Sequence, residues 1–210
     1  IDVWINSNAD SIELFLNNKT LGRKTMPRNR HLQWSVNFEP GKLEAIGFKK
    51  GKILRTKVET TGVPTEIALT PYKTTMLADG QDVSVINVQV FDSEGREVPN
   101  ANNLIQFSIT GDAKIIGVGN GDPSCHEPDK CPEGAWQRSL FNGKCQVIVQ
   151  SGLKPDKIHF EAHSPNLWKG ETDIHTVSTG SVAHISTDPK YALTGAPLKA
   201  PIIDKMIGAD

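Results

Sequence analysis

Residues 6–24, NSNADSIELFLNNKTLGRK, contain the pattern that decides the fold. Ile12, Leu14 and Leu16 alternate with other side chains at a period of two, which is typical of a half-buried β-strand. An Asn-Asn-Lys sequence follows at once and favours a tight turn. The stretch therefore predicts the opening of a β-hairpin.

Composition limits the function classes. The 210 residues include 23 Lys and Arg against 24 Asp and Glu, so no broad positive field favours nucleic acid as a partner. No run of about 20 apolar residues is present, which argues against a membrane-spanning helix. The chain starts at Ile1 inside a strand pattern and without a Met, so we expect it to be a piece of a longer protein.

Strand patterns follow one another through the chain, and helical periodicity is absent. In residues 31–60, alternation places Leu32, Trp34, Val36 and Phe38 on one face of a strand. Turn sequences then separate further short strands, which favours an immunoglobulin-like β-sandwich over residues 1–62. The region is small for an independent domain, so we expect it to depend on a neighbour.

A second module begins near Val63, where Gly and Pro interrupt the pattern. Six further strand patterns over residues 63–170 predict a second immunoglobulin-like sandwich of the invasin type, and a strand near Ile86 is expected to carry a bulge or two buried faces. Residues 171–210 show no period and predict an irregular tail, with a short helix near 202–207. The predicted fold is all-β: two tandem immunoglobulin-like β-sandwiches with an irregular C-terminal tail.

The cysteines allow two interpretations. Cys125 and Cys131 lie in a Pro- and Gly-rich loop and could form a disulfide in an oxidising compartment, whereas Cys145 sits in an apolar alternation typical of a core residue. His126 and two carboxylates lie between the loop thiols, so zinc is the alternative. The spacing lacks a tight CxxC knuckle, and no metal ligand is predicted.

Carboxylates and histidines show no catalytic landmark, and no GxSxG elbow is present. Asp122 is the carboxylate most suited to a bound cation. We expect the turn carboxylates to cap backbone N–H groups, to be hydrated and to keep near-ordinary pKa values. These are Asp79, Asp82, Asp92, Asp112 and Asp122.

Exposed tryptophans are the best candidates for contact with a sugar, because sugar C–H faces stack on indoles. Trp34 follows strict alternation and is predicted to be core, while Trp4 is ambiguous. Trp136 and Trp168 lie where exposure is plausible, and packing against the sandwich or a neighbouring domain is the alternative.

Five segments together resemble a known family. Residues 7–22 are similar to the SNAD-x-ELFLNGKSLG pattern of the immunoglobulin-like module that follows the barrel of glycoside hydrolase family 2 β-galactosidases, although Asn18 stands where that family usually has Gly. Four later segments continue the likeness in the same order. They are residues 34–52, 78–99, 117–123 and 141–152.

The resemblance implies a non-catalytic C-terminal region of a β-galactosidase-like enzyme of the kind seen in Bacteroidetes. Its partner would be the catalytic barrel of the same parent chain, which it would brace, and homo-oligomerisation and a periplasmic or secreted location are further expectations. No cofactor and no catalytic residue are implied here, because the barrel would carry both catalytic carboxylates. A carbohydrate-binding module and a cell-surface adhesin fragment are the alternatives.

Overall fold

The computed structural model describes residues 1–178, which form fifteen β-strands and no helix. Accordingly, no helix among them could cross a membrane. The strands of the first module are β1 (Asp2–Ile5), β2 (Ser11–Leu16), β3 (Lys19–Thr25), β4 (Leu32–Ser35), β5 (Lys42–Lys49) and β6 (Lys52–Glu59). Those of the second are β7 (Glu66–Pro71), β8 (Thr75–Leu77), β9 (Val83–Phe91), β10 (Leu104–Thr110), β11 (Ala113–Gly119), β12 (Gln137–Ser139), β13 (Lys144–Ser151), β14 (Lys157–His163) and β15 (Gly170–Val177).

The opening hairpin forms as predicted. Asn17 and Asn18 join β2 to β3 with φ angles of 49° and 67°, and two successive positive values define the twist that suits a two-residue hairpin. Asn tolerates this conformation better than most residues, which explains how Asn18 can stand where Gly is usual.

The first sandwich consists of two unequal sheets. A four-stranded sheet in the order β3-β2-β5-β6 faces a two-stranded sheet made of β1 and β4. Their shared core is small and includes Trp34 as predicted. It comprises Ala9, Ile12, Leu14, Leu32, Trp34, Val36 and Ala45. The prediction for Phe38 is wrong, because β4 ends at Ser35 and the chain leaves the sheet before the Phe38 side chain, which is 67% exposed.

The second sandwich is closed more completely. A five-stranded sheet, β12-β10-β14-β15-β8, faces a four-stranded sheet, β11-β13-β9-β7. Along β9 the alternation is unbroken: Ile86, Val88 and Val90 are fully buried, and the register with both neighbouring strands is continuous. The bulge expected near Ile86 is therefore absent from β9. A register shift occurs instead in β11, between Ile115 and Gly117.

The predicted start of the irregular tail also needs correction. Residues 170–177 form β15, which pairs antiparallel with β14 and parallel with β8. Ile174 is fully buried in the core, so this segment completes the sandwich. The inner face of β15 carries the buried Thr176 beside Ile174, so polar residues conceal the alternation. The helix expected near 202–207 lies outside the described residues.

A buried carboxylate fixes the linker between the two modules. Residues 60–65 link β6 to β7, and Gly62 N donates a hydrogen bond of 2.7 Å to Asp92 Oδ2. Arg96 Nε donates to the same oxygen at 2.8 Å, while Arg96 N and Glu94 N donate to Oδ1. Burial by itself raises the pKa of Asp92, but these hydrogen bonds outweigh it and hold that pKa well below its usual range.

The turn carboxylates cap the backbone as expected, since each of the five accepts at least one backbone N–H. The expectation that all are hydrated with ordinary pKa values is wrong. Asp92 is 1% exposed, and the pKa of Asp122 is lowered by its hydrogen bonds with Ser124. Local hydrogen bonding, rather than hydration alone, stabilises these charges.

Candidate functional site

A buried arginine organises the longest connection of the second module. Residues 120–136 connect β11 to β12, and Arg138 lies on β12 opposite Ile105 of the core. The side chain of Arg138 is only 2% exposed. A fully buried cation requires several partners, so the surrounding backbone must be held in place.

The guanidinium of Arg138 contacts the end of β11 and the middle of the loop. Nη2 donates to Val118 O at 3.0 Å, to Pro128 O at 3.1 Å and to Asp129 Oδ1 at 2.7 Å. Nη1 donates to Glu127 O at 3.2 Å and lies 3.1 Å from Cys125 Sγ. One side chain thus connects the end of β11 to the middle of the loop.

Two carboxylates lie within ion-pair distance of Arg138: Asp129 at 2.7 Å and Glu127 at 3.9 Å. Burial lowers the pKa of Arg138, but its hydrogen bonds with Cys125 and Asp129 raise the pKa above its usual value overall. Burial has the opposite effect on an acid and raises the pKa of Glu127. The hydrogen bond from Ser139 N, at 2.9 Å, outweighs burial, so that the pKa of Glu127 is lowered overall. Glu127 is therefore ionised at neutral pH, which does not suit it to donate a proton in catalysis.

Further hydrogen bonds fix the first half of the loop. Asn120 Nδ2 donates to Ser139 O at 2.9 Å, and Asn120 Oδ1 accepts from Asp122 N at 3.1 Å. Asp122 Oδ1 accepts from both the N–H and the hydroxyl of Ser124. Asp122, the carboxylate most suited to a cation by sequence, thus caps a turn in the structure.

An open pocket of about 520 Å³ lies beside the ordered loop. Its wall presents the polar groups of Asn120, His126, Glu127 and Ser139 next to the ring of Phe141. Such a surface can donate and accept hydrogen bonds and can pack against an apolar group. It can therefore contact a polar protein surface or the hydroxyl groups of a sugar.

All three cysteines are free thiols in the structure. Cys131 Sγ lies 3.9 Å from Pro128 O and 3.8 Å from Gln137 O, whereas Cys125 Sγ faces Arg138. Cys145 is buried, and burial raises the pKa of its thiol to about 12. The pairing of Cys125 with Cys131 under oxidising conditions stays a prediction.

The two candidate tryptophans occupy different environments. Trp136 is half-buried and packs against the core of the second sandwich, with its carbonyl accepting from Phe107 N at 2.8 Å. Trp168 is 78% exposed and lies next to the linker, where its backbone N–H donates to Thr65 O at 2.8 Å. Trp4, the ambiguous case, is exposed and stacks on His31 with ring centroids 4.5 Å apart. Sugar contact stays a prediction for Trp136 and Trp168.

Within residues 1–178, three side chains of types that can bind metal ions lie together on the outer face of β14 and β15 rather than in the cysteine loop. His159, Glu161 and Glu171 place ligand atoms within 4.8 Å of one another. Lys169 Nζ already lies between the carboxylates, 3.0 Å from Glu171 and hydrogen-bonded to Glu161. A hydrogen bond to Asp173 raises the pKa of His159. The group is an ion-pair network in which Lys169 pairs with both glutamates, and His159 and Lys157 pair with Asp173.

Sequence reasoning missed both Arg138 and the Asp92–Arg96 pair. Gln-Arg-Ser is a polar triplet that ordinarily marks a surface strand, and nothing in its spacing distinguishes a buried guanidinium. Asp92 and Arg96 are four residues apart in a turn sequence. That spacing is a recognisable signal of a local ion pair, although it does not reveal burial.

Two unequal β-sandwiches in tandem, with an ordered loop in the second, define an immunoglobulin-like region. Comparisons identify the family. The glycoside hydrolase family 2 C-terminal domain 5 matches residues 67–173, and a domain of unknown function (DUF4982) matches residues 1–55. The chain belongs to glycoside hydrolase family 2, as the C-terminal region of such an enzyme, and the resemblance noted in the sequence is confirmed.

Individual relatives agree with this assignment. A β-galactosidase of Bacteroides ovatus is 40% identical over 171 residues, which cover 80% of this chain and 20% of the relative. A family 2 glycosyl hydrolase structure from Bacteroides cellulosilyticus matches with a TM-score of 0.78 at 32% identity, over 84% of this chain and 23% of that one. A β-glycosidase from Bacteroides vulgatus gives a TM-score of 0.74 at 33% identity, covering 83% and 22%.

The chain therefore spans about a fifth of the length of these relatives. Residues 67–173 match a C-terminal domain of these enzymes rather than a catalytic domain, so the chain is not catalytic by itself.

Proposed function

We propose that this chain braces the catalytic domain of a β-galactosidase-like parent enzyme and that its Arg138-anchored loop borders the substrate cleft. The observation that carries the proposal is that a C-terminal, non-catalytic domain of family 2 enzymes covers most of the second sandwich. A periplasmic or secreted location, as expected from the resemblance, forms part of the proposal.

The structure of the loop supports a role at a domain contact. The buried Arg138 holds residues 125–129 of the loop, which borders an open polar pocket, so the loop offers a preformed surface at low entropic cost. Preformed loops on rigid sandwiches are common sites of recognition. Such a loop can position a neighbouring barrel or narrow its cleft without taking part in the chemistry.

Deletion of the region from the parent enzyme tests the proposal. The truncated enzyme should melt at a lower temperature and turn over a chromogenic galactoside more slowly, while the isolated chain should show no turnover. Unchanged melting and activity after deletion would contradict a bracing role. Galactoside turnover by the isolated chain, lost on replacing one of its own carboxylates, would contradict the non-catalytic assignment.

A second candidate function is carbohydrate contact through Trp168, which the 78% exposure of that indole favours. Replacing Trp168 by Ala should then weaken retention of the chain on immobilised galactan, whereas the same change at half-buried Trp136 would first disturb the core. Equal retention of the wild type and the Trp168 variant would remove this candidate.

A further inference from the structure

One face of the first sandwich lacks a covering layer. Strand β6 pairs with β5 at the edge of the four-stranded sheet, and Val58 lies opposite Leu43, a residue packed against the core. Val58 therefore points to the inner side of the sheet. It is nevertheless 72% exposed, because the two-stranded sheet of β1 and β4 does not extend over β6.

The uncovered face forms an apolar groove of about 370 Å³ between the modules. Ile1 and Phe38, which are 68% and 67% exposed, line it together with Val58, and Pro99 of the second module completes its wall. Exposed apolar side chains are ordinary when scattered, but a contiguous groove on the inner side of a sheet indicates a contact surface.

We propose that the groove is the docking surface for the catalytic domain of the same parent chain. This inference rests on the proposed function and adds a contact face in the first sandwich to the Arg138-anchored loop of the second. The matched relatives are about five times longer than the matched segment, and the matched domain is a C-terminal one, so most of such an enzyme precedes it. Ile1 lines the groove and pairs with Val36, so preceding residues of a parent enzyme would arrive at its rim.

Opposite faces of β6 provide a matched pair of variants. Val58 faces the groove, whereas Ile53 lies opposite Phe48 on the outer side of the same sheet and is 57% exposed. V58N and I53N introduce the same uncharged side chain into the same edge strand. In the isolated chain both variants should melt within about 2 °C of the wild type, since both positions are exposed there.

In the full-length parent enzyme, V58N should lower the melting temperature by more than about 2 °C relative to I53N, because only Val58 would lie in a contact. Equal effects of the two variants, or the same loss for V58N in the isolated chain, would overturn the groove as the docking surface. A loss that accompanies dissociation of a dimer would also overturn it and assign the face to a second copy.

The outcomes separate this inference from the proposed function. If V58N has no effect while deletion of the whole region still destabilises the parent, bracing stands and the groove is not the surface. If neither change has an effect, both proposals fail.

Discussion

Both sandwiches of this chain are built from short alternating strands separated by turns. They differ in how completely their two sheets cover each other. The first has a core cluster of seven buried residues between sheets of four and two strands, whereas the second has a core cluster of nineteen between sheets of four and five. Their charges also differ: residues 1–62 carry eleven Lys and Arg against six Asp and Glu, and residues 63–178 carry nine against fifteen. A small core with an uncovered sheet face needs a neighbour, and a larger closed core does not.

The largest expected effect is the loss of a core ring from the closed sandwich. Phe160 is fully buried and stacks on Phe107 with ring centroids 5.8 Å apart. Phe160→Ala should destabilise the second sandwich by about 3–5 kcal/mol, because it removes apolar contacts and leaves a cavity. Hydrogen exchange measured at increasing denaturant concentration should show the loss of stability in β10 and β14. A loss spread equally over β2 and β5 would mean that the two sandwiches are one cooperative unit.

The next effect concerns the buried cation. Arg138→Leu should destabilise the second sandwich by about 2 kcal/mol, since Val118 O and Pro128 O lose their donor. Proteolysis should become faster within residues 120–136. Arg55→Leu is the control in the first sandwich, because Arg55 is an exposed member of a surface ion pair. Similar proteolysis of both variants would show that Arg138 does not hold the loop.

A smaller effect is expected at a turn of the first sandwich. Gly41 has a φ of 134°, and a Cβ there would lie 1.9 Å from Asn17 Oδ1, which accepts a hydrogen bond from Lys42 N. Gly41→Ala should destabilise this sandwich by about 2 kcal/mol. Gly51 also has a positive φ, but no atom would approach its Cβ, so Gly51→Ala should cost about 1 kcal/mol. Equal melting temperatures of the two variants would show that contact between the new Cβ and Asn17 does not add to the destabilisation.

Thiol chemistry should leave the fold intact and still distinguish the buried Cys145 from the loop thiols Cys125 and Cys131. Native Cys145 should not react with an alkylating reagent at pH 8, because burial raises its thiol pKa to about 12. The unfolded state releases the Cys145 proton at a lower pH than the folded state does. The free energy of unfolding should therefore fall as the pH rises above about 9. In unreduced, denatured protein from the periplasm, one free thiol is expected. Three would refute the pairing of Cys125 with Cys131.

Local patterns predicted the strands well and their surroundings poorly. The alternation around Ile12 and the Asn17–Asn18 turn depend on neighbouring residues only, so both could be read directly. Exposure of Phe38 and Val58 depends on how far the opposite sheet extends, which no local period records. Burial of Arg138 depends on a loop that folds back over it. The groove and the loop therefore could not be predicted, because both depend on contacts between residues that are distant in sequence.

The most direct test of the account is hydrogen exchange of this chain measured alone and within its full-length parent enzyme. We predict that amides of residues 36–41 and of β6 exchange more slowly in the parent, because the catalytic domain covers the groove, while those of β3 are unchanged. Identical exchange of residues 36–41 and β6 in the two proteins would contradict the central claim that the first sandwich is completed by the catalytic domain.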